Sequence, residues 1–449
     1  MLNIHENKRI NLSPPQIIVG GFALVIFIGT ILLNLPISST RGESIGFVDA
    51  LFTATSAVCV TGLVVVDTGT YWTTFGKTVI LLLIQIGGLG FMTLATLGAL
   101  IIGKKISLKE RLLIQESLNE HKLSGVVKFT RQIIFTTFFI ESIGAFFLAI
   151  VFVPEFGFLK GIGYSIFHSI SAFSNAGFDI IGGGRSLTPY VNNTLINLTI
   201  MSLTILGGLG FTVISDIATK RKFKRLSLHS KIVLFVSAIL ILVPFILFFF
   251  MEYSNEGTIR ELSLKGKLLA SLFQAVTPRT AGFNTIDLAG MQNSSKLLTM
   301  VLMFIGGSPA STAGGIKIST LAVLILAVRT LITGKDDVYA FKRKISYSSV
   351  NKALAVLFIG LTVIISGTMI LSLTEAHQDF LYILFEIVSA FGTVGLSLGI
   401  TPELSVLGRL LITLIMFIGR VGALTILLAL ATKEKKVLYK FPEDKVIVG

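Results

Sequence analysis

The segment FTATSAVCVTGL, residues 52–63, decides how this chain is interpreted, because three later segments repeat its pattern. Each copy begins with phenylalanine and reaches a glycine nine or ten residues later. The apolar helix predicted before each glycine is about a dozen residues long, which is too short to cross a bilayer. The other copies are FHSISAFSNAGF at 167–178, FQAVTPRTAGF at 273–283 and FEIVSAFGTVGL at 385–396.

The composition places these segments in a membrane protein. Of the 449 residues, 53% are hydrophobic and 14% are charged, whereas soluble domains average about a quarter charged residues. Eight apolar stretches approach or exceed the roughly 20 residues that a membrane-spanning helix requires. They cover residues 17–35, 79–102, 133–153, 195–218, 232–251, 297–332, 353–373 and 406–431.

One repeated segment lies between two apolar stretches in each quarter of the chain. Irregular backbone can enter a membrane only where protein or a water-filled cavity shields it from lipid. We therefore expect an all-α integral membrane protein with eight spans, in which four pseudo-repeats of span, re-entrant pore helix, filter loop and span surround a central pore. The predicted repeats are residues 1–103, 104–219, 220–334 and 335–449, the last including a C-terminal tail.

The charge distribution predicts the orientation of the chain. The formal net charge is +14, and 26 Lys and Arg residues lie in the segments on the side of both termini, against about ten on the opposite side. Because basic loops stay in the cytoplasm, both termini are expected there. The same pattern favours contact with membrane lipid over a nucleic-acid partner.

The glycine-bearing loops suit the binding of a desolvated monovalent cation. Stacked backbone carbonyls can replace the water shell of K+, and glycine permits the backbone conformation that this requires. No charged residue lies among the three residues that end at each glycine. The predicted filter consists of Val60, Thr61, Gly62, Asn175, Ala176, Gly177, Thr280, Ala281, Gly282, Thr393, Val394 and Gly395.

A second feature interrupts the long apolar stretch 297–332. Glycine, serine and proline near its middle predict a non-helical loop inside the membrane. Arg420 lies in the middle of the last stretch, where a guanidinium must find carbonyls, water or an anion. We predict that they constrict the pore as a gate, with Lys317 either a part of it or a side chain reaching the membrane surface. The gate residues are Gly306, Gly307, Ser308, Ser311, Thr312, Gly314, Gly315, Lys317 and Arg420.

These features allow three other interpretations besides a gated pore. The glycine clusters at 87–90 and 207–210 favour close helix packing. An alternating-access cation symporter, with the glycine breaks acting as hinges, is the alternative to a pore. An enzyme is not expected, because Glu141, His168 and Glu386 are the obvious titratable groups within the spans and no cluster of ligands surrounds them.

These motifs resemble the Trk/Ktr/HKT family of K+ transporters, and most closely the membrane subunit of bacterial Ktr systems. The resemblance implies K+ selectivity, since Gly62 is serine in Na+-selective plant relatives, and activity influenced by Na+. It also implies a homodimer in the bacterial plasma membrane, a cytoplasmic ring of nucleotide-binding regulatory subunits, and no cofactor on this chain. Pro309-Ala310 departs from the family's loop. The matching motifs are VTGL at 60–63, NAGF at 175–178, PRTAGF at 278–283, GTVGL at 392–396, STAGGIK at 311–317 and Arg420.

Overall fold

In the computed structural model, the described residues are 13–101, 106–117, 125–430, 442 and 444. The predicted C-terminal tail and the N-terminal end therefore lie almost wholly outside the described residues. Four short 3-10 helices, Pro36–Ser38, Thr188–Tyr190, Phe223–Arg225 and Thr401–Glu403, occur in the connections.

The first unit begins with the long apolar helix α1 (Pro14–Asn34), which starts at a proline and is followed by the short helix α2 (Phe47–Val58). After the glycine of the first filter segment come α3 (Thr68–Tyr71), α4 (Thr74–Leu89) and α5 (Phe91–Ile101). The last two are bent by 102°. The expected span 79–102 is therefore not one continuous helix.

The second unit repeats this order. A connecting helix, α6 (Leu108–Ser117), precedes the long α7 (Val126–Phe156). The short α8 (Phe158–Phe173) leads into the second filter segment. It is followed by α9 (Thr194–Leu209) and α10 (Phe211–Lys220), which are bent by 94°.

The third unit contains α11 (Leu228–Glu252), the short α12 (Leu264–Val276), α13 (Asn293–Phe304) and α14 (Ile318–Ile332). The chain between α13 and α14 is not helical. This agrees with the loop expected within stretch 297–332.

The fourth unit starts with a two-stranded antiparallel hairpin that the sequence analysis does not predict. Helices then follow in the same order as before, and the last pair is bent by 93°. The elements are β1 (Tyr339–Ala340), β2 (Arg343–Lys344), α15 (Tyr347–Thr374), α16 (Phe380–Gly392), α17 (Val406–Val421) and α18 (Ala423–Leu430).

Three of the eight predicted spans are bent at a glycine. Gly90, Gly210 and Gly422 adopt φ values of 79°, 87° and 92°, which a right-handed helix cannot include. The preceding glycines do pack closely, as expected, because a methyl group at Gly87 would collide with the carbonyl of Val58. By length and composition, four described helices can cross a membrane, or seven if each bent pair counts as one span. The interrupted pair α13 and α14 supplies the eighth expected stretch.

The helices form two layers. The long helices α1, α7, α11 and α15 lie outside, and only 28% to 33% of their most apolar stretches is buried. Phe135, Phe250 and Phe358 are 73%, 73% and 75% exposed, which suits contact with lipid. Inside, the second span of each unit packs against the short helix of the next, which closes the bundle into a ring. The contacting pairs are α4 with α8, α9 with α12, α13 with α16, and α17 with α2.

A candidate ion pathway

The four filter glycines lie around one axis. Each approaches the next filter segment so closely that a β carbon could not be accommodated; at Gly177 it would lie 2.7 Å from the Cα of Gly282. At Gly282 it would lie 2.6 Å from the carbonyl oxygen of Val394. The approaches follow chain order and close on themselves: Gly62 faces Ala176 and Gly177, Gly177 faces Ala281 and Gly282, Gly282 faces Val394, and Gly395 faces Thr61 and Gly62.

The filter backbone has the same unusual conformation in all four units. The first and third residues of each predicted triplet have positive φ. For the first residues, Val60, Asn175, Thr280 and Thr393, φ lies between 49° and 69°. A β-branched residue in this region is a genuine outlier, so the surrounding packing must impose the conformation. The glycines have φ values of 91°, 69°, 79° and 88° in chain order.

Hydrogen bonds hold this backbone from behind. The middle amide of each triplet donates to a carbonyl near the end of its own pore helix, four or five residues earlier. The carbonyl oxygens of the triplets, in contrast, accept no hydrogen bond from any described residue. Donors are thus engaged with the helices while oxygens stay available, which is the arrangement that a dehydrated cation requires. The amide bonds run from Thr61 to Ser56, Ala176 to Ser171, Ala281 to Thr277 and Val394 to Ser389, at 2.8 to 2.9 Å.

Side chains on the pore helices add to this support, and the sequence analysis does not identify them. The Ser56 hydroxyl accepts from the Gly62 amide at 3.1 Å, and the Ser171 hydroxyl donates to the Phe178 carbonyl at 2.7 Å. Thr277 makes the corresponding bond to Phe283. The recurrence of a hydroxyl at matching positions of the repeated segments is a signal that could have revealed them.

The sequence analysis predicts a role for the backbone of Asn175 in the filter, and its side chain also makes structural hydrogen bonds. With the amide orientation assigned from its surrounding donors and acceptors, its nitrogen donates to the carbonyls of Thr204 at 3.2 Å and Ala172 at 3.1 Å, and its oxygen accepts from the Thr280 hydroxyl at 3.0 Å. Asn175 is fully buried. The side chain therefore joins α9, the second pore helix and the third filter segment.

The predicted gate loop lies directly beneath the filter and is bound on several sides. The Ser308 amide donates to the Gly208 carbonyl at 2.9 Å, and the Phe211 amide donates to the Ala310 carbonyl at 2.9 Å. The Thr312 hydroxyl donates to the carbonyl of Phe173, the last residue of the second pore helix, at 3.1 Å. These bonds attach the loop to the bend between α9 and α10 and to the end of α8.

The two ends of the loop are paired with each other and with the fourth unit. The Gly306 amide donates to the Ile316 carbonyl at 2.9 Å, and the Ile318 amide donates to the Gly307 carbonyl at 3.0 Å. A methyl group at Gly314 would collide with the side chain of Thr393 in the fourth filter. The loop therefore fills the space below the ring.

Arg420 and Lys317 place positive charge beside this loop. The Arg420 guanidinium donates to the carbonyls of Thr312, Gly87 and Gly88, so it bridges the loop and the end of α4. The Lys317 ammonium donates to the Ala313 carbonyl at 2.6 Å, within the loop. Both line a cavity of about 530 Å³ together with Ser311, Gly315 and other residues.

The titratable groups that would suit an enzyme are separated and have structural partners. Glu386 accepts from the hydroxyls of Ser397 and Thr401, and the Glu141 carboxylate accepts from the Gln85 amide at 3.2 Å. His168 contacts the Tyr164 carbonyl at 2.8 Å. Among the described residues, no group of three or more potential metal ligands occurs.

Outside the spans, Asp67 joins the first two units. It accepts hydrogen bonds from the amides of Gly183 and Gly184, both at 3.2 Å, and from Thr70. Partial burial raises the pKa of this carboxyl, but the hydrogen bonds from Thr70 and the two glycines outweigh it and hold the pKa below its usual value. The loops above the ring are thereby connected across units.

A closed ring of four helix–loop–helix units with an intramembrane loop is the architecture of a membrane ion transport protein. The chain matches the family model described as TrkH, cation transport protein, over residues 5–439. It belongs to this family, which confirms the resemblance to Trk and Ktr proteins.

Relatives match the chain over almost its whole length. The Ktr system potassium uptake protein B of Bacillus subtilis is 47% identical over 442 residues, which cover 98% of each chain. The potassium/sodium uptake protein NtpJ of Enterococcus hirae is 44% identical over 454 residues, covering 100% of each. The crystal structure of the potassium transporter TrkH from Vibrio parahaemolyticus superposes with a TM-score of 0.72 at 19% identity, covering 94% of this chain and 86% of that one. It supports the fold alone.

Proposed function

We propose that this protein takes up K+ across the bacterial plasma membrane through the central ring of filter segments. The observation that carries the proposal is the set of filter carbonyl oxygens that no described hydrogen-bond donor engages. Carbonyl oxygens arranged around a path can replace the hydration shell of a monovalent cation. The name of the Bacillus subtilis relative, a potassium uptake protein, favours K+ as that ion.

In this proposal the loop from Gly306 to Gly315 is the gate, and Arg420 and Lys317 are its electrostatic part. A passing cation meets the Arg420 guanidinium and the Lys317 amine, which line the cavity beside the loop. Like charges repel strongly where little water screens them. Opening therefore requires the loop to move away from the bonds that Thr312 makes with Phe173 and Arg420.

The remaining parts of the proposal concern assembly and orientation. Both termini lie in the cytoplasm, since the basic segments lie on their side of the membrane. The chain works as a homodimer with a cytoplasmic nucleotide-binding regulatory ring, as the resemblance to Ktr systems implies. Na+ modulates its activity, which is in keeping with the name of the potassium/sodium uptake protein that is 44% identical.

Flux through the purified protein in liposomes tests the function. With K+, Rb+ and Na+ compared under an imposed voltage, we expect K+ and Rb+ to exceed Na+ by roughly tenfold or more, because the carbonyl ring suits the larger ions. Flux should follow the voltage without a second ion. A strict requirement for a co-transported ion would instead favour the alternating-access symporter.

A matched pair of substitutions tests whether the ring of filter glycines determines the selectivity for K+ over Na+. Gly62→Ser places a side chain against the Ala176 carbonyl and should lower the ratio of K+ to Na+ flux. Gly20→Ser lies in α1, where nothing is within 4 Å of an added β carbon, and should leave the ratio unchanged. Equal ratios in both variants would contradict the filter assignment.

A further inference from the structure

A pocket lies at the far end of the helix that begins at the gate loop. Helix α14 starts at Ile318, directly after Lys317, and ends at Ile332. Its last turn, the following turn and the hairpin of β1 and β2 enclose about 250 Å³. The lining residues include Arg329, Lys335 and Lys342. This pocket is separate from the proposed ion path.

The three bases of the pocket have no acceptor in the described part of the chain. No described hydrogen bond or ion pair engages the side chains of Arg329, Lys335 or Lys342. Asp337, the one acid of the lining, is already paired with Lys344 at 2.6 Å and accepts from the Tyr339 hydroxyl. Even with the neighbouring Asp336 counted, residues 329–344 carry more basic than acidic side chains. The pocket thus presents unneutralised donors.

The surroundings of the pocket are apolar and face outward. Leu331 and Ile332, close to Arg329 on α14, are each 80% exposed. Ile325 and Val328 on the same helix are 55% and 56% exposed. An apolar helix surface that ends in a basic cluster marks the boundary between hydrocarbon and headgroups. Acyl chains cover such aliphatic side chains at a membrane boundary, whereas a partner that contacts only the basic cluster leaves them uncovered.

The hairpin is held in a conformation that its sequence does not favour. Phe341 and Lys342, its two turn residues, have φ values of 47° and 63°. Such turns ordinarily use asparagine and glycine. Phe341 packs edge-on against Phe223 and Phe235, with ring centroids 6.2 and 6.3 Å away. The strained turn therefore positions Lys342 at the pocket, and strain of this kind clusters at binding sites.

We propose that this pocket binds the phosphate of an anionic phospholipid headgroup in the leaflet that faces the cytoplasm. Arg329, Lys335 and Lys342 contact the phosphate, and the acyl chains lie along Leu331 and Ile332. Val338 and Ile345 at the base of the hairpin belong to one apolar cluster with Ala322 of α14. The bound lipid therefore holds the hairpin and the end of the gate-bearing helix together. Its effect on the gate rests on the proposed function, but its binding does not.

Native mass spectrometry of the purified full chain, titrated with phosphatidylglycerol or phosphatidylcholine, measures this binding without transport. The triple variant Arg329→Gln, Lys335→Gln, Lys342→Gln is compared with Lys222→Gln, Lys224→Gln, Arg225→Gln. The control residues are exposed on a neighbouring connection and remove the same charge. Each of the three hydrogen bonds to the phosphate contributes roughly fivefold in affinity at such a solvent-exposed site. We expect phosphatidylglycerol to bind the pocket variant roughly 100-fold more weakly and the control within about threefold of the unmodified chain.

Three results would overturn the proposal. Equal losses in both triple variants would mean that general surface charge attracts the lipid. Unchanged phosphatidylglycerol binding to the pocket variant would mean that these bases do not bind lipid and would favour a soluble protein as their partner. Displacement of the lipid by inorganic phosphate at similar concentration would identify a free anion as the ligand. A thermal unfolding curve for each variant verifies that it is folded, and failure of any of these arms says nothing against the pore.

Discussion

The first residue of each filter triplet has a positive φ, a backbone conformation that three of these four residues ordinarily avoid. Val60, Thr280 and Thr393 are β-branched and have positive φ, as does Asn175. Each such residue costs about 1 to 3 kcal/mol, and the conformation persists only where the surrounding packing enforces it. All four are at most 1% exposed. Because the same strain recurs around the ring, we interpret it as part of a pre-organised ion site.

Asn175 allows the side-chain and backbone contributions to be separated. Asn175→Gly keeps the left-handed backbone but removes the bonds to Thr204, Ala172 and Thr280. We expect a loss of about 1 to 3 kcal/mol in stability and a lower ratio of K+ to Na+ flux. Asn175→Ala should cost a further 1 kcal/mol or so, because alanine resists this φ. Thermal unfolding in detergent measures the stability of the unmodified chain and the two variants. An Asn175→Gly variant as stable as the unmodified chain would contradict a structural role for the side chain.

Arg420 tests the electrostatic part of the gate. Replacing it by alanine removes a positive charge and the bonds to Thr312, Gly87 and Gly88. We expect Rb+ uptake into liposomes to rise roughly tenfold, since a barrier of about 1.4 kcal/mol corresponds to that factor. Arg420→Lys keeps the charge and should stay close to the unmodified rate. Unchanged or lower uptake by correctly folded Arg420→Ala would mean that the residue is structural.

At the scale of elements, the bent helix pairs leave space for the loop that we propose as the gate. The bends at Gly90, Gly210 and Gly422 follow directly after the glycines that pack against the pore helices. The cavity below the loop is lined by residues from all three bends. A straight helix in each unit would continue through the membrane without leaving this space. In the proposed pathway the bends therefore contribute to the cavity next to the filter segments.

The first bend can be tested against a glycine of the same helix pair. A β carbon at Gly90 or at Gly98 would meet nothing within 4 Å, but only Gly90 has positive φ. Gly90→Ala should destabilise the protein by about 1 to 2 kcal/mol. Gly98→Ala, inside α5, should be neutral or stabilising by up to about 1 kcal/mol. Thermal unfolding measured for both variants would contradict the account if their effects had the same sign and size.

At the scale of the whole molecule, the sequence predicts the repeated helices and loops but not the contacts between residues that are distant in the chain. The pore helices and the interrupted stretch 297–332 are predictable because short apolar segments and clustered glycines are local signals. The bends are not, since the apolar pattern continues through Gly90 and Gly210. The hairpin at Tyr339 to Lys344 lacks turn residues that favour it. The partners of Asn175 and Gln85 lie on other helices, and a single sequence does not reveal such pairs.

The most direct test of the central claim is crystallographic localisation of Rb+ in the purified protein by its anomalous scattering. We expect peaks on the axis of the ring, surrounded by carbonyl oxygens from the segments that contain Gly62, Gly177, Gly282 and Gly395. Occupied Rb+ sites found only at carboxylates such as Asp67, with none on that axis, would contradict a carbonyl-lined pore.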